Sequence, residues 1–352
     1  MILFSVIPAP FCNGVNSSRN PVFSWRYKLT WAPVFTGVTT AIQFLHTFRI
    51  IGDSAGESEA IATAELGQYL LNGISQGCVY ILLASGLTLV LGILNVPNFA
   101  QGHLYMIAAY LGFYMVMSYG MNYWLALILA TFAMGVLGQI IYSLVFYRMR
   151  NAPEVNLFVA AMALLMVLEG IALYFFGAST KWFLIPFTRR VITFAGLAIP
   201  VQRLIIIVGT LVVMVLLELF IKKTTVGAAL EATAQHREGA MLCGIKVTRI
   251  SAVAFIIGTG LAGIAGMLIG PAVLLEPTMG MGPLLVAFSA IIFGGLGSIS
   301  GSVLGAFILG LVESLASGYV SAKYSLIFVF GIMILMLLFR PKGLFGREVW
   351  RP

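Results

Sequence analysis

The sequence predicts an all-α membrane protein: a polytopic helical bundle of about eight or nine transmembrane helices, with a broken or re-entrant helix near residues 285–317. Three observations carry this. Hydrophobic residues make up 60% of the 352, and charged residues only 9%. The mean hydropathy is +1.02, whereas a soluble domain is about half apolar and about a quarter charged. Apolar runs of roughly 20 residues recur, the length that crosses ~30 Å of hydrocarbon. Backbone groups there find no water, so such runs must be helices or a closed barrel, and continuous rather than alternating apolar runs select helices.

From Leu66 onward the expected spans are 68–92, 98–118, 122–146, 155–176, 200–221, 250–270, 285–317 and 324–339. The seventh is too long for one crossing and contains Gly294, Gly295, Gly297, Ser298, Ser300 and Gly301, so it reads as two half-helices, near 285–296 and 302–317. A re-entrant pair and two short crossings both fit. Residues 66–346 form the transmembrane domain, 347–352 a polar tail, and 1–65 an N-terminal extension of different composition. That extension has an apolar stretch at 31–51, interrupted by His46 and Arg49. It reads as an added signal-anchor helix, an export signal (Ala62-Thr63-Ala64 has the A-x-A form), or a start assigned upstream of the true one.

Between the fifth and sixth spans lies one polar loop, 222–249, KKTTVGAALEATAQHREGAMLCGIKVTR. Its small residues, among them Ala232, Gly239 and Gly244, let another surface come close, and its charges stand out in so apolar a chain. It reads as a surface gripped by a partner. Lys and Arg orient the bundle. The loop's face collects eleven (Arg148, Arg150, Lys222, Lys223, Arg237, Lys246, Arg249, Arg340, Lys342, Arg347 and Arg351), and the opposite face five (Lys181, Arg189, Arg190, Arg203 and Lys323). The positive-inside rule makes the first face, with the C-terminus, cytoplasmic. The formal charge of +8 therefore reflects cytoplasmic loops rather than nucleic-acid binding.

No lysine follows a glycine, so the phosphate-binding G-x-x-x-x-G-K motif is absent. Cys12, Cys78 and Cys243 are scattered, and His46, His103 and His236 are far apart. Neither metal nor nucleophile constellation follows, and the chain reads as no enzyme. Ionisable residues inside spans are costly and stand as functional candidates against the plainer reading of helix–helix hydrogen bonding. Glu169, Glu313 and His103 are of this kind. Glycines at 297, 301 and 305, and at 266 and 270, share helix faces and read as packing. The broken span at Gly294, Gly295 and Gly297 also suggests a cavity lining, since discontinuous helices expose backbone only there. Asn72, Asn98 and Gln101 form a further polar set; the turn Asn95-Val96-Pro97-Asn98 precedes a helix, and Asn98 reads first as its cap.

Four stretches carry a resemblance. LLNGISQGCVYILLASGLTLVLGILNVPNFAQGHLYMIAAY (71–110), VGAALEATAQHREGAMLCGIKVTRI (226–250), GGLGSISGSVLGAFILGLVE (294–313) and FRPKGLFG (339–346) occur in this order. They are similar to segments of bacterial branched-chain amino acid ABC transporter permeases. The resemblance covers roughly 67–346, and 1–65 fall outside it. It implies an inner-membrane importer subunit that holds no ATP or Mg of its own. It further implies a second permease subunit, two cytoplasmic ATP-binding subunits docked on the 226–248 loop, and an extracytoplasmic solute-binding protein. By that resemblance Glu231, Ala232, Gln235, Glu238, Gly239 and Gly244 transmit ATP-driven closure. The external Lys181, Arg189 and Arg190 read as a meeting point for an acidic lobe of the binding protein or as anchors at the lipid interface.

The chain departs from the family at two places. The common His-Gly-acid is here Gln101-Gly102-His103, and Glu169 stands where an amide or apolar residue is expected. Branched-chain or other hydrophobic amino acids are the expected substrates, and urea or short amides the alternative within the family. The rival class is an ion-coupled secondary transporter or channel, with Glu169, Glu313 and the broken span as its site.

Overall fold

The computed structural model describes residues 55–94, 97–185, 190–194, 197–340 and 343–345. The apolar stretch 31–51 lies outside the described residues. The first described helix, α1, is Ala55–Leu94, so helical backbone begins upstream of the expected span. Then follow α2 (Gln101–Phe113, continued by a wide turn through Tyr114–Ser118), α3 (Tyr123–Ile141, likewise continued through Tyr142–Phe146) and α4 (Glu154–Phe176). The strands β1 (Lys181–Trp182), β2 (Val191–Phe194) and β3 (Leu197–Pro200) lead into α5 (Val201–Lys223). After it come the loop helices α6 (Thr225–Gln235) and α7 (Arg237–Leu242), then α8 (Val247–Ile269) and the short strand β4 (Leu274–Leu275). The chain continues with α9 (Met281–Gly294), α10 (Ile299–Ala316) and α11 (Ser325–Phe339). This is a helical membrane protein, and among the described residues six segments are long and apolar enough to cross a bilayer.

Local sequence sets the helix ends. The Asn122 side chain accepts from the Trp124 N–H at the start of α3, and Ser298 Oγ accepts from the Gly301 N–H at the start of α10; each satisfies a donor that the first turn leaves free. Pro153 and Pro200 precede α4 and α5 with extended ψ, as proline at a helix start allows. Gly295 and Gly297 take φ of 104° and 81°, a region open to glycine at little cost. They break the expected seventh span into α9 and α10. Gly297 thus belongs to the turn and has open space around it, whereas Gly301 and Gly305 pack, so the expected single glycine face of 297, 301 and 305 is divided.

The centre of the bundle is α1, α2 and α8, with α3 against α8 and with α9, α10 and α11 packed together. Helices pack in lipid without a hydrophobic drive between them, so close approach at small residues carries the contact. Gly86 of α1 meets Gly258 of α8, Gly77 of α1 meets Gly310 of α10, and Gly294 of α9 meets the Gly301 carbonyl of α10. Side chains add rungs to α8: Gln101 donates to the Gly258 carbonyl at 2.6 Å, Gln202 to Leu268 at 2.6 Å, Tyr123 to Met267 at 3.0 Å and Tyr142 to Thr248 at 3.0 Å.

These contacts fix direction and depth. The C-terminal end of α1 lies at the polar-loop face, where Ile93 packs with Leu230 of α6 and Ala254 of α8. Gln101, the first residue of α2, packs beside Gly86, eight residues before the end of α1 and so about 12 Å into the bundle. From there α2 runs alongside α8 toward the opposite face, Tyr105 lying against Gly266 and Gly112 against Met267. Gly280, at the start of α9, touches Gly102 at the same depth. The 14 residues of α9 span only about 21 Å, returning toward the loop face. There Leu344 and Phe345 N–H groups donate to the carbonyls of Phe293 and Gly294, at 3.0 and 2.9 Å. The half-helices expected at 285–296 and 302–317 are thus a short inner helix and a longer one that runs back beside α1.

On the opposite face β1 pairs antiparallel with β4, Lys181 opposite Leu275 and Trp182 opposite Leu274. β2 and β3 form a hairpin from Val191↔Pro200 to Phe194↔Leu197. Lys181 donates to the Tyr114 hydroxyl and lies over the Phe113 and Tyr114 rings. Its ammonium is therefore engaged within the chain. Arg190 is exposed, and Arg189 lies outside the described residues.

A methyl group at Gly301 would overlap the Gly294 carbonyl oxygen, whereas Gly170 has open space around it. Gly301→Ala is expected to destabilise the folded protein by roughly 1–3 kcal/mol through overpacking, and Gly170→Ala to leave it unchanged or slightly more stable. Thermal unfolding in detergent, followed by loss of the monodisperse peak, checks both.

Candidate functional site

The polar loop folds as two short helices. The Thr224 hydroxyl accepts from the Gly227 N–H at 2.9 Å and starts α6; the His236 Nδ1 accepts from the Gly239 N–H at 2.9 Å and starts α7. Gly244, at φ 80°, ends the turn after α7 with the Ile245 N–H donating back to the Ala240 carbonyl at 3.0 Å, a glycine C-terminal cap. The inner face of α6 buries Leu230 and Thr233. Of the residues expected to meet a partner, Glu231, Gln235, Glu238 and Gly244 are exposed, and Ala232 and Gly239 half-buried. Gln235 donates to Glu231 at 3.2 Å.

Two apolar residues of this loop carry a signal that sequence reading passed over. Leu242 is 90% exposed and Met241 51%. In the sequence they sit within GAMLCG, where any short apolar pair in a loop suggests burial. The C-terminal cap at Gly244 instead turns both outward.

The second constellation lies at the junction of the half-helices. Gly102 and Gly280 meet backbone to backbone, so the N-termini of α2 and α9 converge inside the bundle, each equivalent to about half a positive charge. Asn98, Gln101 and His103 gather here, with exposures of 0, 0 and 1%. Asn98 Oδ1 accepts from the Ala100 N–H at 3.2 Å. That is a turn contact one residue before the helix: the N-cap of α2 is Ala100, without a side-chain cap. The reading of Asn98 as helix cap is therefore displaced by one extra turn of chain, closed by the Gln101 N–H on the Asn98 carbonyl at 3.1 Å. Among the described residues Asn98 Nδ2, Gln101 Oε1 and both His103 ring nitrogens have no hydrogen-bond partner. Each unpaired buried group costs about 1–3 kcal/mol, so polar groups left free here need a reason. Glu169 of α4 joins the cluster, its carboxylate 3.6 Å from His103 Nε2, and its own side chain is 33% exposed. The cluster thus reaches the outer surface of α4.

Glu313 is elsewhere. It lies on α10 against α1, where the Tyr80 hydroxyl donates to its carboxylate at 2.6 Å and Gln76 donates to that hydroxyl at 2.8 Å. Asn72 lies one turn before Gln76 on α1, half-buried. Gly294, Gly295 and Gly297 lie at the far end of α9 from the junction, in the turn to α10. The nine residues expected along a path therefore divide into three places: Asn98, Gln101, His103 and Glu169 at the junction, Asn72 and Glu313 between α1 and α10, and the glycines at the α9–α10 turn.

Removing the caps is expected to loosen the loop without unfolding the bundle. Thr224→Ala and His236→Ala each cost about 1 kcal/mol locally, and hydrogen exchange is expected to speed up at Gly227 and across α6 in the first variant, and at Gly239 and across α7 in the second. Equal exchange in variant and parent would show that packing alone holds the helices.

The profile of the family described as branched-chain amino acid transport system / permease component matches residues 69–337. The high-affinity branched-chain amino acid transport system permease protein BraD of Pseudomonas aeruginosa is 32% identical over 293 residues, covering 80% of this chain and 95% of BraD. LivH of Salmonella typhimurium, named as a permease protein of the same kind of system, is 31% identical over 298 residues, covering 80% of this chain and 95% of LivH. LivM of the same organism is 24% identical over 290 residues, covering 76% of this chain and 67% of LivM. The chain, a multi-pass helical membrane protein, belongs to the branched-chain amino acid transport permease family.

Proposed function

We propose that the chain is the permease subunit of an ATP-driven importer for branched-chain or other hydrophobic amino acids, working by alternating access. The observation that carries this reading is the 222–249 loop: two capped helices that present Glu231, Gln235, Glu238, Met241 and Leu242 outward from a bundle otherwise built for lipid. Met241 and Leu242 supply the apolar anchors that a docking surface needs at its centre, and the charged residues its rim. ATP and Mg are bound, and the ATP is hydrolysed, in two partner subunits on the cytoplasmic side of the plasma membrane. A solute-binding protein delivers substrate from outside. The similarity of the chain to both LivH and LivM supports a pair of related permeases with the path between them.

The packing offers a route for the force. The inner face of α6 rests on Ile93 at the end of α1 and Ala254 on α8. Four residues further along α8, Gly258 holds both Gly86 and the Gln101 amide. A pull on the loop is delivered to the base of α2, where the free polar groups of Asn98, Gln101 and His103 sit. Alternating access then exposes that junction, through Glu169, to each side in turn. The converging N-termini suit the carboxylate of a zwitterionic substrate, as helix N-termini do in other broken-helix transporters.

Glu238→Arg and Gly239→Trp are each expected to abolish uptake in proteoliposomes holding the full complex, with membrane insertion and yield unchanged; transport that survives both removes the loop as the coupling surface. Leu242→Asp is expected to lose co-purification of the ATPase. Glu169→Gln removes the carboxylate that faces His103 and is expected to lower uptake about tenfold or more, the scale of losing one partner of a partly buried charge pair. Leucine and urea supplied in parallel decide the substrate class. A chain that purifies alone and moves solute without ATP would instead favour an ion-coupled transporter built on Glu169 and Glu313.

A further inference from the structure

We infer that the α1 face bearing Gln68, Asn72, Gln76 and Tyr80, together with Glu313 of α10, is a water-lined track that receives the ammonium group of an amino-acid solute at the Glu313 carboxylate. This rests on the reading of the chain as an amino-acid permease. The four α1 residues are spaced by four, so each is the surface neighbour of the next, and together they extend about 18 Å inward from the face opposite the polar loop. Gln68 donates to Asn72 at 3.4 Å, Gln76 to the Tyr80 hydroxyl at 2.8 Å, and that hydroxyl to Glu313 at 2.6 Å. The close approach of Gly77 and Gly310 and the bond from Ser314 to the Tyr69 carbonyl at 2.7 Å hold α10 in this register.

Two physical points select water and an ammonium. Gln68, Asn72, Gln76 and Glu313 are half-buried, so the row is open along one side. Amides and a carboxylate turned toward hydrocarbon are expensive, and such groups in spans face protein or a wet cavity. The Glu313 carboxylate accepts one hydrogen bond, from Tyr80, although it has room for several. Among the described residues the ion pairs are His103–Glu169 and Lys222–Glu218, so no described basic side chain neutralises Glu313. An incoming ammonium supplies both the charge and the missing donors. The carboxylate end of the same solute is repelled by Glu313 and is held away from it, which orients the zwitterion as it enters.

The test uses the assembled importer in proteoliposomes. Glu313→Gln keeps the size of the side chain and an acceptor for Tyr80 but removes the charge. Leucine uptake is expected to fall about tenfold or more, while the yield and thermal stability of the assembled complex stay unchanged. Tyr80→Phe keeps the charge and is expected to lose less than Glu313→Gln, and Glu313→Asp to recover part of the uptake. In a cysteine-free background, Gln68→Cys, Asn72→Cys and Gln76→Cys are expected to react with a membrane-impermeant thiol reagent at least about tenfold faster than Val208→Cys on exposed α5, and leucine to slow them. Equal losses in Tyr80→Phe and Glu313→Gln would assign a structural role, and unimpaired Glu313→Gln or thiol reaction no faster than at Val208→Cys would overturn the track. Uptake that collapses when sodium is replaced by choline would assign Glu313 to a metal cation and overturn the ammonium site. A parent complex that imports no amino acid would overturn the importer reading together with this one; normal parent uptake with a normal Glu313→Gln overturns this one alone.

Discussion

The contact between Gly102 and Gly280 is the constraint on which the interior depends. Any side chain at either position would overlap the backbone of the other. Only with both bare can α2 and α9 begin at the same depth, their N-termini side by side. Helices that start inside a membrane leave backbone N–H groups without intrahelical partners, and such irregular backbone survives only when enclosed by protein or facing a wet cavity. Here the enclosure is made by α1 and α8, and the polar side chains of Asn98, Gln101 and His103 share the same shell. The short α9 and the re-entry of the chain before α2 follow from this one close approach.

From that point the structure reads outward as a mechanical chain. Gln101 ties the base of α2 to the Gly258 carbonyl. α8 in turn carries Ala254 against Leu230 of α6, and Gly227 seats α6 on the last turn of α5. The links are one side-chain hydrogen bond, one apolar side-chain contact and one close backbone approach. Protein interiors packed this closely shift between discrete arrangements rather than deform smoothly. The two capped helices of the loop are thus joined to the centre of the bundle by a short series of close contacts. At the other end of α9, the chain after α11 hydrogen-bonds to its last carbonyls, so both ends of the short helix are held.

Three glutamates of the helical region are handled in three ways, and the differences follow from depth. Glu218 lies near the loop face and pairs with Lys222 one turn away, both exposed, a surface pair of little energetic weight. Glu169 lies deeper and is set against His103. Glu313 has no basic partner among the described residues and leans on the Tyr80 hydroxyl and, through it, on Gln76. A charge in hydrocarbon demands compensation, and the two deep ones are compensated on separate faces of the bundle.

Much of this was legible in the sequence. Length and apolarity of the runs marked most of the spans, because a helix must satisfy its own backbone in lipid, but the span expected at 98–118 is not among the six described segments long enough to cross. Glycine clustering marked the break between α9 and α10, since few other residues adopt the φ of Gly295 and Gly297. The unusual polarity of 222–249 marked the loop. Sequence could not decide which polar residues meet. Glu169 of α4 is set against His103 of α2 across 66 positions, and Tyr80 reaches Glu313 across 233, distances over which no periodicity carries information. Nor could it show that α2 starts deep in the bundle, or that Leu242 points outward while Leu230 points in. The one-dimensional pattern determines which segments must be helices in a membrane, because that depends on each segment's own backbone. The tertiary structure alone decides where those helices begin in depth and which faces they share, because that depends on glycine contacts between segments far apart in the chain.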